Sequence, residues 1–165
     1  MQKSIEVDLA LITSYDALLR DVELTMVKTA THHDAQTLYL LQTVPGIGKI
    51  LRLVLLYDIH QIDRFPRVQD FASSCRLVKC ARESAGKRSG TSGAKIGNAH
   101  RKWAFSEAAV LCLRDHPAAQ KLLTRLEKKH SKGKALTILA HKLARAVYYM
   151  LKRQTAFDLD TFLHG

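Results

Sequence analysis

The chain has 165 residues, 47% apolar and 25% charged, which suits one globular domain with a core of its own and room for a helical extension. Twenty-six Lys and Arg against fifteen Asp and Glu leave a net charge of +11, which favours a polyanionic partner, nucleic acid first of all. Three cysteines without a CxxC pair argue against a disulfide framework or a zinc ribbon, and eight scattered histidines show no metal-ligand spacing. Without a signal-peptide core or an apolar run of spanning length, a cytoplasmic protein with no membrane partner is expected.

From Ile5 to about Leu41 the spacing predicts a helix: Ile5, Leu9, Ile12, Leu19, Val22 and Met26 recur at three- and four-residue steps without Pro or Gly. Asp16 and Glu23 interrupt an otherwise heptad-like seam, and the clustered β-branched and His residues of Thr29–His33 are a place for a break. Residues 1–42 are therefore read as a long helix, with an imperfect coiled-coil seam, that either packs on the domain or reaches a partner, and residues 43–165 as the compact domain.

Thr43 to Lys49 reads TVPGIGK and leads into the apolar run Ile50–Tyr57. Two helices joined by a P-G-I-G hairpin form a helix-hairpin-helix unit, in which amides near Gly46, Gly48 and Lys49 bind a phosphate without reading sequence. The other reading is that Pro45, Gly46 and Gly48 only make a tight turn. Asp58 to Pro66 punctuates the chain, and Arg67–Ser74 is a short helix with Val68 and Phe71 inward.

Arg82 to Asn98 reads RESAGKRSGTSGAKIGN, where four glycines alternate with Ser, Thr and the cations Arg82, Lys87, Arg88 and Lys95. No apolar period runs through it, so the expectation is a long loop rather than a packed helix or strand. Asn98 caps a helix over Ala99–Arg114, expected to bury Trp103, Ala104, Ala108, Leu111 and Cys112. Pro117 opens another helix, to Lys129. Lys128, Lys129, Lys132 and Lys134 then surround Gly133 in a basic turn, read either as solvated or as a phosphate contact. The last helix, Ala135–Gln154, carries Leu139, Leu143, Val147 and Leu151 on one face and His141, Lys142, Arg145, Lys152 and Arg153 on the other. The fold class is all-α: a compact helical bundle with a helix-hairpin-helix unit, a long N-terminal helix and a Gly/Ser-rich loop.

Within that loop Ser84 sits among Arg82, Lys87 and Arg88. A serine hydroxyl attacks a phosphodiester only when a base takes its proton and positive charge meets the non-bridging oxygens. The three cations supply the second requirement. The alternative is a solvated loop in which Ser84 does nothing.

The run ESAGKRSGTSGAKIGNAHRKWAFSEAA, with VPGIGK upstream and FP-V-DFASS-C-RLVK between, resembles the C-terminal domain of one family. It is the IS-one-ten (IS-one-sixteen/IS-nine-hundred-and-two) family of insertion-sequence transposases. In that family the serine of the SG or SAG element is the nucleophile, which falls here on Ser84. The family's K-x-GN and following helix start match Lys95, Gly97, Asn98 and Lys102-Trp103. Where the family often has Gly-Leu-x-Pro, this chain has Arg76-Leu77-Val78-Lys79.

The resemblance implies a transposase acting in DNA transposition and recombination by serine transesterification, with DNA and a non-coding guide RNA as partners. It implies Ser84 as nucleophile, with Arg82, Lys87 and Arg88 stabilising charge. Gly46, Gly48, Lys49, Lys95, Asn98, Arg101 and Lys102 are the expected nucleic-acid contacts. It also implies that residues 1–42 are a helical linker, able to form a dimerising coiled coil, within a homo-oligomer, and that a separate acidic RNase-H-like domain holds a divalent metal such as Mg. This chain shows no acidic tetrad of that kind, so no cofactor or metal is assigned to it, and alone it is expected to be inactive. The alternatives are a non-catalytic helix-hairpin-helix nucleic-acid-binding module and an inactive transposase remnant.

Overall fold

The apolar-periodic N-terminal stretch forms α1 (Gln2–Gln42) in the computed structural model, which describes residues 2–78, 81–84, 87–91 and 97–164. Asp34, at φ −155° and ψ 72°, leaves the helical region and kinks α1 just past the Thr29–His33 cluster. Near that kink the chain divides into two compact units, Met1–Ala35 and Gln36–Gly165. In the first unit Ile5, Ile12, Leu19 and Val22 are each more than half exposed, so the seam is present and uncovered within that unit.

The second unit begins with the end of α1 and continues through α2 (Lys49–Ile59), a 3-10 turn (Ile62–Arg64) and α3 (Val68–Ser74). Strands β1 (Ala81–Ser84) and β2 (Lys87–Thr91) follow, then α4 (Ala99–Asp115), α5 (Pro117–Glu127), α6 (Lys132–Arg153) and α7 (Leu159–His164). Among the described residues, seven helices thus carry an all-α body. The two strands are a correction to the expected structureless loop: they pair antiparallel, with Ala81 opposite Thr91 and Ser84 opposite Lys87. A two-stranded ribbon closes its ladder with backbone hydrogen bonds, which need no apolar alternation, so the sequence pattern does not announce it.

Phe71, Phe105, Leu139, Leu143 and Val147, from α3, α4 and α6, are at most 1% exposed and form the centre of the core. Burying side chains of this size contributes about 1.5–3 kcal/mol each. Phe71 meets Phe65 and Phe105 edge-on at 5.2 and 6.0 Å, the arrangement that ring quadrupoles favour. Tyr148 is buried and donates its hydroxyl to the Phe65 carbonyl at 3.0 Å. Arg101, near the start of α4, and Tyr148, near the end of α6, both meet Phe65, which brings these two helix ends together.

Trp103 departs from expectation, being 48% exposed. The buried face of α4 runs through Arg101, Ala104, Phe105, Ala108 and Cys112, a 3.6-residue stripe from which position 103 points away. An arginine occupies the buried place that hydrophobicity assigns to the tryptophan.

Candidate functional site

Ser84 is the last residue of β1. Its Cα pairs with that of Lys87, and the next rung back pairs Glu83 with Arg88. Arg82 pairs with Gly90, and the register shifts between Arg82 and Glu83, so Ser89 is left without a partner opposite it. A bulge of this kind increases the local twist and re-aims the rungs beyond it, here the two terminal ones. The backbone therefore brings Ser84, Lys87 and Arg88 to one end of the ribbon and leaves Arg82 across the bulge. Ala85 and Gly86, between the paired Ser84 and Lys87, lie outside the described residues, as does Lys95.

The chain flanking the ribbon is tied into a stem. The Asn98 amide donates to the Ser74 carbonyl at 2.8 Å, and Arg76 Nε donates to the Gly97 carbonyl at 2.8 Å. Gly97 has φ +101°, and a Cβ there would lie 2.6 Å from the Ser74 carbonyl oxygen. Only glycine passes that closely with that backbone. The side chain of Asn98 is committed internally: Oδ1 accepts from the His100 and Arg101 amides at 2.7 and 3.1 Å, the N-cap expected from sequence. Its Nδ2 donates to Asp58 Oδ1 at 3.0 Å.

Arg101 is 5% exposed, donates from Nη1 to Ser74 Oγ at 2.9 Å, and lies over the Phe65 ring at 5.4 Å. Burial lowers its pKa, and the nearby Asp58 carboxylate works in the opposite direction. Asp58 Oδ2 and Arg101 Nε are both buried without a hydrogen-bond partner among the described residues, with His100 Nδ1 4.0 Å from the former. Beside Arg101, the buried Cys75 thiol is pushed up to about 12 by burial. Asp58, Ser74 and Arg76 escaped sequence reasoning, because they serve the site only through contacts between distant segments.

Gly46 and Gly48 separate sharply. Ile47 donates to the Val44 carbonyl at 3.1 Å and Gly46 has φ +82°, so Val44–Ile47 is a type II turn with Pro45 and Gly46 in the positions that turn favours. A Cβ on Gly46 would lie 2.2 Å from the Ala108 carbonyl oxygen, so this glycine is where the turn presses on α4. Gly48 is exposed, with open space where a Cβ would go, and is the N-cap of α2. Lys49 is half-buried at the first position of α2, and Lys102 is exposed on α4.

A family model described as Transposase IS116/IS110/IS902 family matches residues 38–124, just over half of the chain. The chain belongs to this family, and membership implies a role in DNA transposition and in DNA binding. No curated protein matches the sequence. The matched residues run from the end of α1 into α5 and include the turn on α4, the stem and the ribbon. Among the described residues no helix is long and apolar enough to cross a membrane.

Proposed function

We propose that this chain is the serine-bearing part of a DNA transposase and that Ser84 is its nucleophile. The observation that carries the reading is the backbone register: a serine and two cations at one end of a ribbon, inside the segment that belongs to a transposase family. In the reaction Ser84 Oγ forms a bond to phosphorus while the bond from phosphorus to the leaving deoxyribose oxygen breaks. The serine proton goes to a base on a partner domain, and the leaving oxygen takes up a proton. The phosphoserine diester keeps the bond energy of the phosphodiester, so the strand can be rejoined. Lys87, Arg88 and Arg82 neutralise charge on the non-bridging oxygens as the transition state forms.

Among the described residues no three His, Cys, Asp or Glu side chains group to hold a metal ion. The divalent ion belongs, in this reading, to an acidic RNase-H-like domain, and no step is assigned to it here. DNA and a guide RNA are the nucleic-acid partners, with Lys49 and Lys102 contacting phosphates directly. Asn98 and Arg101 contribute indirectly, by holding together the stem that flanks the ribbon.

The test is a recombination mixture containing the acidic domain, its metal ion, DNA and guide RNA. A denaturant-stable protein–DNA adduct is expected, abolished by Ser84→Ala and retained in Ser89→Ala. Arg82→Ala slows adduct formation by about 100-fold or more while keeping the attachment site. An adduct mapped to another residue overturns the assignment. A recombining mixture without any adduct favours the non-catalytic binding module instead.

A further inference from the structure

Helix α6 lies beyond the matched segment, and its outer face has a composition that protein stability does not explain. From Lys128 to Phe157 the sequence contains no Asp or Glu at all. Lys132 and Lys134 occupy the first turn of α6, where the positive end of the helix dipole disfavours cations. Further along, Arg145 and the neighbouring His141 sit one helical turn apart, and Arg125 of α5 faces Lys142. Burial together with these like charges lowers the pKa of both His141 and Lys142. Lys152 is matched to Asp63 and Lys142 reaches the Leu163 carbonyl, whereas Lys134 and Arg145 make no ion pair with any described residue. At the far end the exposed Tyr149 carries the Arg153 guanidinium over its ring at 5.3 Å.

We infer that the outer face of α6, along Lys134, His141, Arg145, Tyr149 and Arg153, is a track for the phosphate backbone of duplex DNA. This rests on the reading of the chain as a DNA-transposition protein and adds a surface to it. At 1.5 Å per residue the row from Lys134 to Arg153 is about 28 Å long. That matches roughly eight base pairs at 3.4 Å each, enough for several phosphates. The row also leads toward the stem. Tyr149 stacks edge-on against Tyr148 at 5.3 Å, Tyr148 bonds the Phe65 carbonyl, and the Phe65 ring lies under Arg101 of the stem. DNA lying along α6 thus passes toward the stem that flanks the segment bearing Ser84. Charge repulsion retained in the free protein is relieved when these cations lie against phosphates and displace the counterions condensed on the DNA.

The experiment is a salt titration of the full chain against a labelled duplex longer than the track. Lys134→Gln, Arg145→Gln and Arg153→Gln together should flatten the dependence of log K on log salt by about 2.7, or 0.9 per lost contact. A control removing three charges from the first unit, Lys3→Gln, Arg20→Gln and Lys28→Gln, should keep the wild-type slope. Should the α6 triple variant melt early, Arg145→Gln alone should still flatten the slope by about 0.9. An unchanged slope in the α6 variants, or an equal loss in the control, overturns the track. A loss seen with hairpin RNA but not with duplex DNA overturns it too, and makes RNA the ligand. If the wild-type chain itself shows no salt-dependent DNA binding, the transposition reading fails with it; if only the α6 variants bind normally, this inference alone fails.

Discussion

The peptide N–H of Asn98 donates to the carbonyl oxygen of Ser74 at 2.8 Å, joining residues twenty-four apart in sequence. That bond closes the stem of the segment bearing Ser84, and everything around it is arranged to keep it closed. Asn98 caps α4 with one end of its amide and holds Asp58 with the other, while Arg101 reaches back to the Ser74 hydroxyl.

Gly97→Ala should open that stem. The new methyl meets the Ser74 carbonyl oxygen at 2.6 Å on a backbone at φ +101°, so relief requires the Ser74 and Gly97 backbones to separate. A loss of about 2–4 kcal/mol is expected in urea denaturation, together with slower adduct formation in the recombination mixture. Full stability would show that the stem relaxes freely.

Arg101→Met should cost about 3 kcal/mol, because it removes a buried charge and leaves Ser74 Oγ and Asp58 without it. Arg101→Lys keeps the charge but not the planar fork and should fall between Arg101→Met and wild type. Chemical denaturation of the three proteins checks the order. Equal stability of Arg101→Met and wild type would remove Arg101 from the stem.

Gly46→Ala and Gly48→Ala should behave oppositely. The first forces a methyl into the α4 backbone at φ +82° and should destabilise by about 3 kcal/mol or more. The second has open space and should change stability by less than about 1 kcal/mol. Weaker DNA binding by Gly48→Ala at unchanged stability would support a phosphate at the turn amides; normal binding would leave the turn as a packing device.

Cys75 should make the fold alkali-sensitive. Its thiol titrates near 9.0 when unfolded and is pushed up to about 12 by burial, so only the unfolded state loses its proton as pH rises past 9. The stabilising term is complete below pH 9 and lost progressively as pH climbs toward 12. Measured against pH, the decline in unfolding free energy should be shallower in Cys75→Ala than in wild type. Parallel curves would mean the thiol titrates normally in the fold.

The apolar seam of α1 should associate with a second copy. Ile12 and Leu19 are 57% and 58% exposed, and Tyr15 and Val22 continue the three- and four-residue spacing. Ile12→Asp with Leu19→Asp should convert a dimer to a monomer in sedimentation analysis. A wild-type chain that stays monomeric at high concentration would count against the seam.

What sequence alone determined is the local part of the structure. The helices α1, α3, α4, α5 and α6, the Asn98 cap and the Pro117 start come from apolar spacing and from end signals that act within a few residues. The serine between its cations was legible for the same reason, since residue types and motif order survive without geometry. Tertiary structure decided the rest. The ribbon exists because two segments pair backbone to backbone, which composition does not encode. Arg101 is buried and Trp103 exposed because the rotation of α4 is fixed by Phe65, Phe71 and α6, not by the hydrophobicity of either side chain. Gly46 and Gly48 look equivalent in P-G-I-G, yet only one presses on a neighbouring helix, because approach distance is a property of the assembled body and not of the turn.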